Sequence, residues 1–181
     1  GWSHVPDLDE AVATIRAAVD AGVNYLDVAP PYGSGGSERA VGVAFEGELP
    51  VGVRISTKVS LDRPSPGDAS VIIERSLTAS LERLRLTRVD MLLTHCWLLP
   101  DRDEDEDCPG LPFQDYVREV RPVLQRLTAD GRIGAWGISG IGVPASVEAA
   151  SSGKLPTQRR KRASMDSRRS WLVSWRLWGS G

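Results

Sequence analysis

The feature that most constrains the fold is a regular alternation of amphipathic helical segments with short, apolar, strand-like segments. The strand-like segments are 23–28, 53–58, 89–94 and 132–138. The stretches between them are too long for hairpins, and neighbouring parallel strands require crossover connections of this length. The alternation therefore predicts parallel βαβ units, which fit either an open doubly wound sheet or part of a (β/α) barrel.

The helical segments carry their own boundary signals. Asp7 and Glu10 form a capping box before the first apolar stripe, and Gly22 follows the last residue of that stripe. The later helical segments are 37–46, 68–86 and 113–130. Ser37 is the predicted N-cap of the first of these, and Pro122 is expected to kink or divide the last.

A polar or ionisable side chain stands at or just after the carboxyl end of each predicted strand. In a parallel sheet those ends meet at one rim, which is where such folds place their sites. The residues are Asp27, Tyr32 in the loop that follows it, Lys58, His95 and Ser139. We therefore expect these side chains to converge on one candidate site.

Lys58 is the single lysine among the 14 basic residues of the first 150 positions. An ammonium near the core of a sheet is costly to bury unless it is paired, and Asp27 on the neighbouring strand is the obvious partner. Such a pair beside Tyr32 would favour tyrosinate, so that Tyr32 could donate a proton to a carbonyl oxygen near neutral pH. His95 could then orient the carbonyl or assist the proton transfer.

Each of these residues also has a purely structural interpretation. Asp27 and Lys58 could form a plain structural ion pair, and Tyr32 could be a loop aromatic that covers the end of the barrel. His95 could be a neutral core histidine bonded to a carbonyl group, and Ser139 could cap the next helix. Their placement on successive strand ends favours a site over these separate interpretations.

At these residues the sequence resembles the aldo-keto reductase family, over roughly residues 8–150. The matching segments are AGVNYLDVAPPYG at 21–33 with Ser37, Glu38 and Gly42 after it, STKV at 56–59, SLERL at 80–84, VDMLLTH at 89–95 and DGRIGAWGIS at 130–139. The chain looks most similar to bacterial sugar-dehydrogenase-like members. The resemblance implies a (β/α)8 TIM barrel that moves a hydride between NADP or NAD and a carbonyl or alcohol substrate, such as an aldehyde, ketone or sugar.

The resemblance also implies a role for individual residues. The family's catalytic tetrad corresponds to Asp27, Tyr32, Lys58 and His95. Tyr32 would be the general acid, Lys58 with Asp27 would tune it, and His95 would help to position the substrate oxygen.

Three further residues are implied to contact the cofactor or the substrate. Ser139 would contact the carboxamide of the nicotinamide. Gly140, also predicted at the cofactor, stands where the family usually has Asn, which removes one carboxamide partner. Trp97, just after His95, could wall the substrate pocket, although as a large apolar residue it could equally belong to the core.

The chain of 181 residues is short for a whole barrel, which typically needs about 250 residues. The first barrel strand, expected before residue 8, is missing or reduced to a remnant around Trp2, and no later strand is evident after Ala150. The family takes most of its adenosine-phosphate contacts from those later strands. We therefore predict the centre of a barrel, truncated at both ends, with four strands and three full crossovers.

Charge divides the chain into two unlike parts. Residues 1–150, the predicted partial barrel, hold 14 basic and 23 acidic residues, whereas residues 151–181 hold eight basic residues and one acid. This basic, Trp-rich tail is predicted to be disordered, and its abrupt composition suggests an altered reading frame or a foreign extension. Binding of nucleic acid or contact with a membrane surface are alternative interpretations, but short basic runs are common in unstructured tails.

Composition excludes several classes of protein. Two cysteines, Cys96 and Cys108, are too few for a disulfide scaffold and indicate a reducing, cytoplasmic setting. No apolar run approaches the roughly 18 residues of a membrane span, and no signal peptide is visible in residues 1–22. The acidic segment 101–107 lacks the glycine and the distal glutamate of a calcium-binding EF-hand loop, so we predict a solvated loop and no metal site.

Two functional hypotheses follow. The first is an NAD(P)-dependent oxidoreductase acting on a small carbonyl or sugar substrate, with activity reduced or lost because the barrel is incomplete. The second is a non-catalytic interaction or scaffold protein that uses the basic tail or the exposed edges of strands 23–28 and 132–138. Such edges would also permit self-association.

Overall fold

The computed structural model describes residues 7–61, 67–99 and 110–139. Its elements, in chain order, are α1 (Leu8–Asp20), β1 (Tyr25–Asp27), α2 (Gly36–Phe45), β2 (Arg54–Ser60), α3 (Ala69–Leu84), β3 (Val89–His95), β4 (Trp97–Leu99), β5 (Gly110–Pro112), α4 (Phe113–Asp115), a π-helical turn (Tyr116–Val120), α5 (Arg121–Ala129) and β6 (Ile133–Ile138). The predicted alternation of helices and strands is confirmed.

The four predicted strands form one parallel sheet in the order β1-β2-β3-β6. Each strand lies beside the one that precedes it in this series, so the described chain progresses in a single direction around the sheet. A doubly wound sheet reverses its strand order at a switch point, whereas a barrel does not. The observed order therefore favours part of a (β/α) barrel, and β1 and β6 are the outer strands of the described sheet.

The hydrophobic core lies between this sheet and the helices that cross over it. β2 is buried over five consecutive residues, which is typical of a central parallel strand. One cluster of the core contains fully buried Ile and Leu side chains from β2, β3, β6, α3 and α5: Ile55, Ile73, Leu77, Leu84, Leu92, Leu124 and Ile133. Burial of apolar surface of this kind is the main force that holds the crossover helices on the sheet.

Helix α2 packs unusually close to the end of α3. A Cβ atom added at Gly42 would lie 2.3 Å from the backbone carbonyl oxygen of Arg83, so only glycine permits this approach. At the start of α2, a Cβ at Gly35 would lie 2.8 Å from the Arg83 side chain, and Gly35 has a left-handed φ of 82°. These two glycines bring the first turn of α2 against the Arg83 side chain.

The predicted roles of Asp7 and Gly22 at the two ends of the first helix are confirmed, but the N-cap of α2 differs from the prediction. The Asp7 side chain accepts a hydrogen bond from the Asp9 backbone N–H at 2.8 Å, and Gly22 follows the helix with φ 99°. The N-cap of α2 is Gly35, not Ser37. Ser37 lies in the first turn instead and donates its hydroxyl to the Ala29 carbonyl oxygen at 3.3 Å, because the left-handed turn at 33–35 starts the helix earlier.

Pro122 interrupts regular helical structure, as predicted. The five-residue π-helical turn ends directly before α5, whose second residue is Pro122. Proline lacks an N–H and clashes with the carbonyl of the preceding turn, and a local π turn relieves that clash. One small element was not predicted: β4 pairs with β5 as a separate two-stranded parallel sheet.

Some sequence predictions fall outside the described residues. These are the strand remnant around Trp2, the acidic loop at 101–107, Cys108, Gly140 and the basic tail at 151–181. Within the described part of the chain, no helix is both long enough and apolar enough to cross a membrane.

Candidate active site

Strand register places the predicted site residues on one face of the sheet, near its carboxyl edge. Side chains alternate between faces along a strand, and residues paired across parallel strands point the same way. Asp27 pairs with Ser56, so it shares a face with Lys58, two residues further along β2. Ser60 pairs with His95, which puts His95 on that same face and closer to the carboxyl edge. We call this side of the sheet the site face.

Ser139 continues the same arrangement one strand further on. Leu93 pairs with both Lys58 and Gly137, and Ser139 follows Gly137 by two residues. The Ser139 backbone N–H donates to the Thr94 carbonyl oxygen at 2.8 Å, which extends the β6 ladder by one residue. Ser139 therefore lies on the site face, and its side chain is half-buried.

The predicted ion pair between Asp27 and Lys58 is present. Lys58 Nζ donates to both carboxylate oxygens of Asp27 at 2.8 Å and to the Val28 carbonyl oxygen at 3.1 Å. These three acceptors match the three N–H donors of an ammonium group. The Lys58 side chain is only 4% exposed, whereas the Asp27 side chain is 48% exposed. The buried member of the pair is therefore the cation.

Tyr32 stands directly against this cation. Lys58 Nζ lies 4.7 Å from the centroid of the Tyr32 ring, within the range of a cation–π contact. Tyr32 is half-buried in the loop between β1 and α2. Its backbone N–H donates to the Ala29 carbonyl oxygen at 3.1 Å, and its own carbonyl accepts from the Ser37 N–H at 3.2 Å. The loop thus holds Tyr32 by hydrogen bonds at both sides.

Two further predicted residues, His95 and Trp97, lie close together in the sequence at the end of β3 and the start of β4. His95 is the last residue of β3 and is half-buried, and its carbonyl oxygen accepts a hydrogen bond from the Leu61 N–H at 3.4 Å. Trp97 begins β4, two residues later. Lys58 thus contacts both Asp27 and Tyr32, while His95 and Ser139 share their sheet face and edge.

Two features of the site were not predicted from the sequence. The Ser56 hydroxyl donates to Asp27 Oδ1 at 2.5 Å and so helps to orient the carboxylate. Glu38, which belongs to the segment that carries the family resemblance, is fully buried and bonded to Thr57 and Arg83. Ser56 could have been found from its position opposite Asp27, but the contacts of Glu38 depend on the packing of helices.

A further buried hydroxyl group supports the strand that carries His95. The Thr94 hydroxyl donates to the Gly137 carbonyl oxygen at 3.1 Å and shares a hydrogen bond with the Tyr116 hydroxyl at 3.4 Å. Burial raises the pKa of Tyr116 well above its usual range, and the Thr94 hydrogen bond opposes this shift only in part. Tyr116 therefore stays a neutral phenol that packs β3 against the π-helical turn.

The groups on the site face have the chemistry that a nicotinamide requires. A carboxamide needs both a donor and an acceptor, and the half-buried hydroxyl of Ser139 offers both. A carbonyl substrate needs a hydrogen-bond donor at its oxygen, and Tyr32 and His95 both carry such groups. The side chains of Ser139, Tyr32 and His95 are thus chemically compatible with the nicotinamide end of NAD or NADP and a carbonyl substrate beside it.

Fold and site together define a class of protein. A parallel sheet with strands in sequential order, crossover helices and polar groups at its carboxyl edge is typical of part of a (β/α) barrel. The profile of the aldo/keto reductase family matches residues 1–163. The chain therefore belongs to the aldo/keto reductase family, whose members are oxidoreductases that use NAD(P).

Two curated relatives are sugar dehydrogenases by name. L-galactose dehydrogenase of Arabidopsis thaliana is 32% identical over 135 residues, which cover 74% of this chain and 39% of that protein. D-threo-aldose 1-dehydrogenase of a Pseudomonas species is 31% identical over 157 residues, covering 74% of this chain and 44% of that protein. The chain thus spans less than half the length of these relatives.

A solved structure confirms the fold class. An aldo/keto reductase of Klebsiella pneumoniae in complex with NADP and acetate superposes with a TM-score of 0.59 at 30% identity. The match covers 81% of this chain and 44% of that one. The predicted partial barrel is therefore the right architecture for the described residues.

Proposed function

We propose that this chain carries the proton-donating half of an NAD(P)-dependent oxidoreductase that interconverts a carbonyl and an alcohol. The observation that carries this proposal is the buried Lys58 ammonium, fixed by Asp27 and lying 4.7 Å from the centroid of the Tyr32 ring. The chemistry supplied by a bound nicotinamide is the hydride transfer. Together with a proton from the Tyr32 hydroxyl, it converts the carbonyl into an alcohol.

The different burial of the two charges explains how the pair assists Tyr32. The Asp27 carboxylate is half exposed, so water screens its charge, whereas the Lys58 ammonium is shielded from water. The Lys58 ammonium thus places a positive charge 4.7 Å from the centroid of the Tyr32 ring. In this proposal that charge stabilises the negative charge that develops on the phenol oxygen in the transition state, as a general acid requires.

The remaining predicted residues take supporting roles in this proposal. His95 orients the substrate oxygen, and Ser139 holds the carboxamide of the nicotinamide. Trp97 and Gly140 remain predictions from the family resemblance, as wall of the substrate pocket and as neighbour of the cofactor. A cytoplasmic setting remains a prediction from the cysteine count.

Relatives support the choice of substrate and cofactor. The names L-galactose dehydrogenase and D-threo-aldose 1-dehydrogenase support a sugar or other small carbonyl compound as the substrate. The complex of the Klebsiella pneumoniae relative supports NADP as one cofactor to test, with NAD beside it.

The proposal is tested by turnover of the purified 181-residue chain. NADPH and a simple aldehyde should be consumed together, and Tyr32→Phe should abolish this reaction because it removes the proton. Tyr25→Phe is the matched control, since Tyr25 is exposed on β1 and its hydroxyl donates to the sulfur of Met91, at 3.7 Å. Equal turnover in wild type and Tyr32→Phe would show that Tyr32 is not the acid.

The alternative function is an interaction protein without catalysis. It rests on β1 and β6, which lie at the two ends of the described sheet and so offer strand edges to a partner or a second copy. This function predicts no turnover and no saturable binding of NADPH. A thermal melt followed by tryptophan fluorescence distinguishes the two functions, because a ligand that binds only the native state raises the melting temperature.

A further inference from the structure

Behind the site face lies a buried carboxylate that the proposed function does not use. Glu38 is 0% exposed, and each of its carboxylate oxygens accepts a hydrogen bond. The Thr57 hydroxyl donates to Oε1 at 2.5 Å, and Arg83 Nε donates to Oε2 at 2.6 Å. Arg83 also donates to the Ser80 hydroxyl at 3.1 Å. A buried carboxylate is costly unless its partners are well placed, and here they are.

The position of this network links it to the ion pair between Asp27 and Lys58. Thr57 directly precedes Lys58 on β2, so its side chain points to the opposite face of the sheet, towards the helices. Glu38 lies in the first turn of α2, which begins just after the loop that carries Tyr32. The Glu38–Thr57 hydrogen bond therefore joins the helix next to Tyr32 to the strand that carries Lys58.

The loop between Tyr32 and Glu38 is short and internally bonded. The Gly36 N–H donates to the Gly33 carbonyl oxygen at 2.9 Å, and the Ser37 N–H donates to the Tyr32 carbonyl oxygen at 3.2 Å. The Ser37 hydroxyl also reaches back to the Ala29 carbonyl oxygen. Because these bonds tie the loop to the first turn of α2, a shift of that turn on β2 moves Tyr32 relative to Lys58.

We propose that Glu38 is a positioning residue that, through Thr57 and Arg83, fixes the Tyr32 loop against Lys58. A role for Glu38 in catalysis rests on the proposed function. The contact between Tyr32 and Lys58 that Glu38 maintains does not depend on whether the chain turns over substrate. A directional network suits this task, because two short hydrogen bonds define one register of α2 on β2. Apolar side chains of the same volume would fill the space without defining that register.

The test measures access to the Lys58 amine in the full chain. Lys58 is acetylated with limiting acetic anhydride, and mass spectrometry compares its rate with those of Lys154 and Lys161, the other two lysines of the sequence. Thr57→Val removes the hydrogen bond to Glu38 at nearly constant volume. We expect the relative rate at Lys58 to rise about fivefold, the size that the loss of one buried hydrogen bond produces.

Two matched variants separate positioning from general stability. Thr57→Ser keeps the hydroxyl and should keep the wild-type rate. Thr94→Val removes another buried hydroxyl from the same face of the neighbouring strand, where it bonds to Gly137 rather than to Glu38. At an equal fall in melting temperature, Thr94→Val should leave the Lys58 rate unchanged. An equal rise in both valine variants, or no rise in Thr57→Val, would overturn the proposal.

A second route covers the case in which Thr57→Val does not fold. Arg83 is a quarter exposed, so Arg83→Lys fits the space and keeps the charge while losing the Nε hydrogen bond to Glu38. It should also raise the acetylation rate of Lys58, and an unchanged rate would overturn the proposal. The readout does not need turnover, so failure of the proposed function shows separately, as Tyr32→Phe activity equal to that of wild type.

Discussion

An ion pair lies on each side of strand β2, and the two pairs differ in which charge is buried. On the site face the cation is buried and the carboxylate is exposed, since the side chain of Lys58 is 4% exposed and that of Asp27 is 48% exposed. On the helix-facing side the acid is fully buried, and its partner Arg83 is 25% exposed. Lys58, which belongs to the first pair, and Thr57, which donates to Glu38 of the second, are adjacent residues of one strand.

The difference shows which charge each pair leaves unscreened. In the Glu38 pair, both oxygens of the buried carboxylate accept hydrogen bonds, from Thr57 and from Arg83. In the Lys58 pair, the buried cation also faces the ring of Tyr32, a residue that can lose a proton. Water screens the exposed member of a pair more than the buried member. A pair of the first kind holds the fold, and one of the second kind can serve a reaction.

Removing the buried cation of the site pair should have the largest effect on turnover. Lys58→Met keeps much of the side-chain volume and leaves Asp27 in contact with water. We expect turnover to fall by about 10² to 10⁴-fold, the range that one positioned acid–base group contributes. The free energy of unfolding, measured with urea, should change by about 1 kcal/mol or less, because the freed carboxylate is hydrated.

Lys58→Arg serves as the control for this variant. It keeps a charge near Asp27, but its planar head group is larger, so turnover should fall less than in Lys58→Met. The structural interpretation of the pair makes the opposite forecast for Lys58→Met. If the pair is only structural, Lys58→Met should lose several kcal/mol of unfolding free energy and keep its turnover. That result would show that the site-face pair, like the Glu38 pair, only stabilises the fold.

Removing the buried acid of the helix-facing pair should act mainly on stability. Glu38→Leu leaves the Thr57 hydroxyl without its acceptor and Arg83 without its counter-charge. We expect the free energy of unfolding to fall by about 2–4 kcal/mol, slightly below the range for a fully buried pair because Arg83 can turn towards water. Urea denaturation of the purified variant measures this change.

A double variant tests whether the loss comes from the unpaired charge. Adding Arg83→Met to Glu38→Leu should recover part of the lost stability, because replacing both members of a buried ion pair is often neutral. No recovery in the double variant would mean that the packing of α2, and not the pair, determines the loss.

The sequence predicted the elements that depend on local patterns. Helical and strand periodicity located the crossover helices and all four strands of the main sheet. The Asp27–Lys58 pair was predictable because a lone lysine in an apolar strand needs a neighbouring acid. Its contact with Tyr32 followed from the convergence of strand ends in a parallel sheet.

Other features depend on contacts that the sequence pattern does not contain. The partners of Glu38 are 19 and 45 residues away, on a strand and a helix whose packing decides whether they meet. The start of α2 was misplaced at Ser37, because three successive left-handed residues at 33–35 begin the helix earlier than a capping preference predicts. The β4–β5 pair joins two segments too short for a periodic signal.

The smallest expected effect on stability concerns the hydrogen bond between the hydroxyl groups of Thr94 and Tyr116, on the helix-facing side of the sheet. Burial raises the pKa of Tyr116 in the folded protein above its unfolded value of about 10. The stability that this shift supports is therefore fully present below pH 10 and is lost as the pH rises above it, since only the unfolded chain releases the proton there. Tyr116→Phe should remove this part of the alkaline loss, while at neutral pH it should lower the unfolding free energy by about 1 kcal/mol or less.

Urea denaturation of wild type and Tyr116→Phe between pH 7 and 11 measures both effects. Tyr25→Phe is the control, because it removes the hydroxyl of a tyrosine that is exposed. If the helix-facing side is structural, Tyr116→Phe changes stability and leaves any turnover near neutral pH as it was. A loss of turnover comparable to that of Lys58→Met would instead show that the two sides of the sheet are coupled. The division between a structural face and a site face would then be wrong.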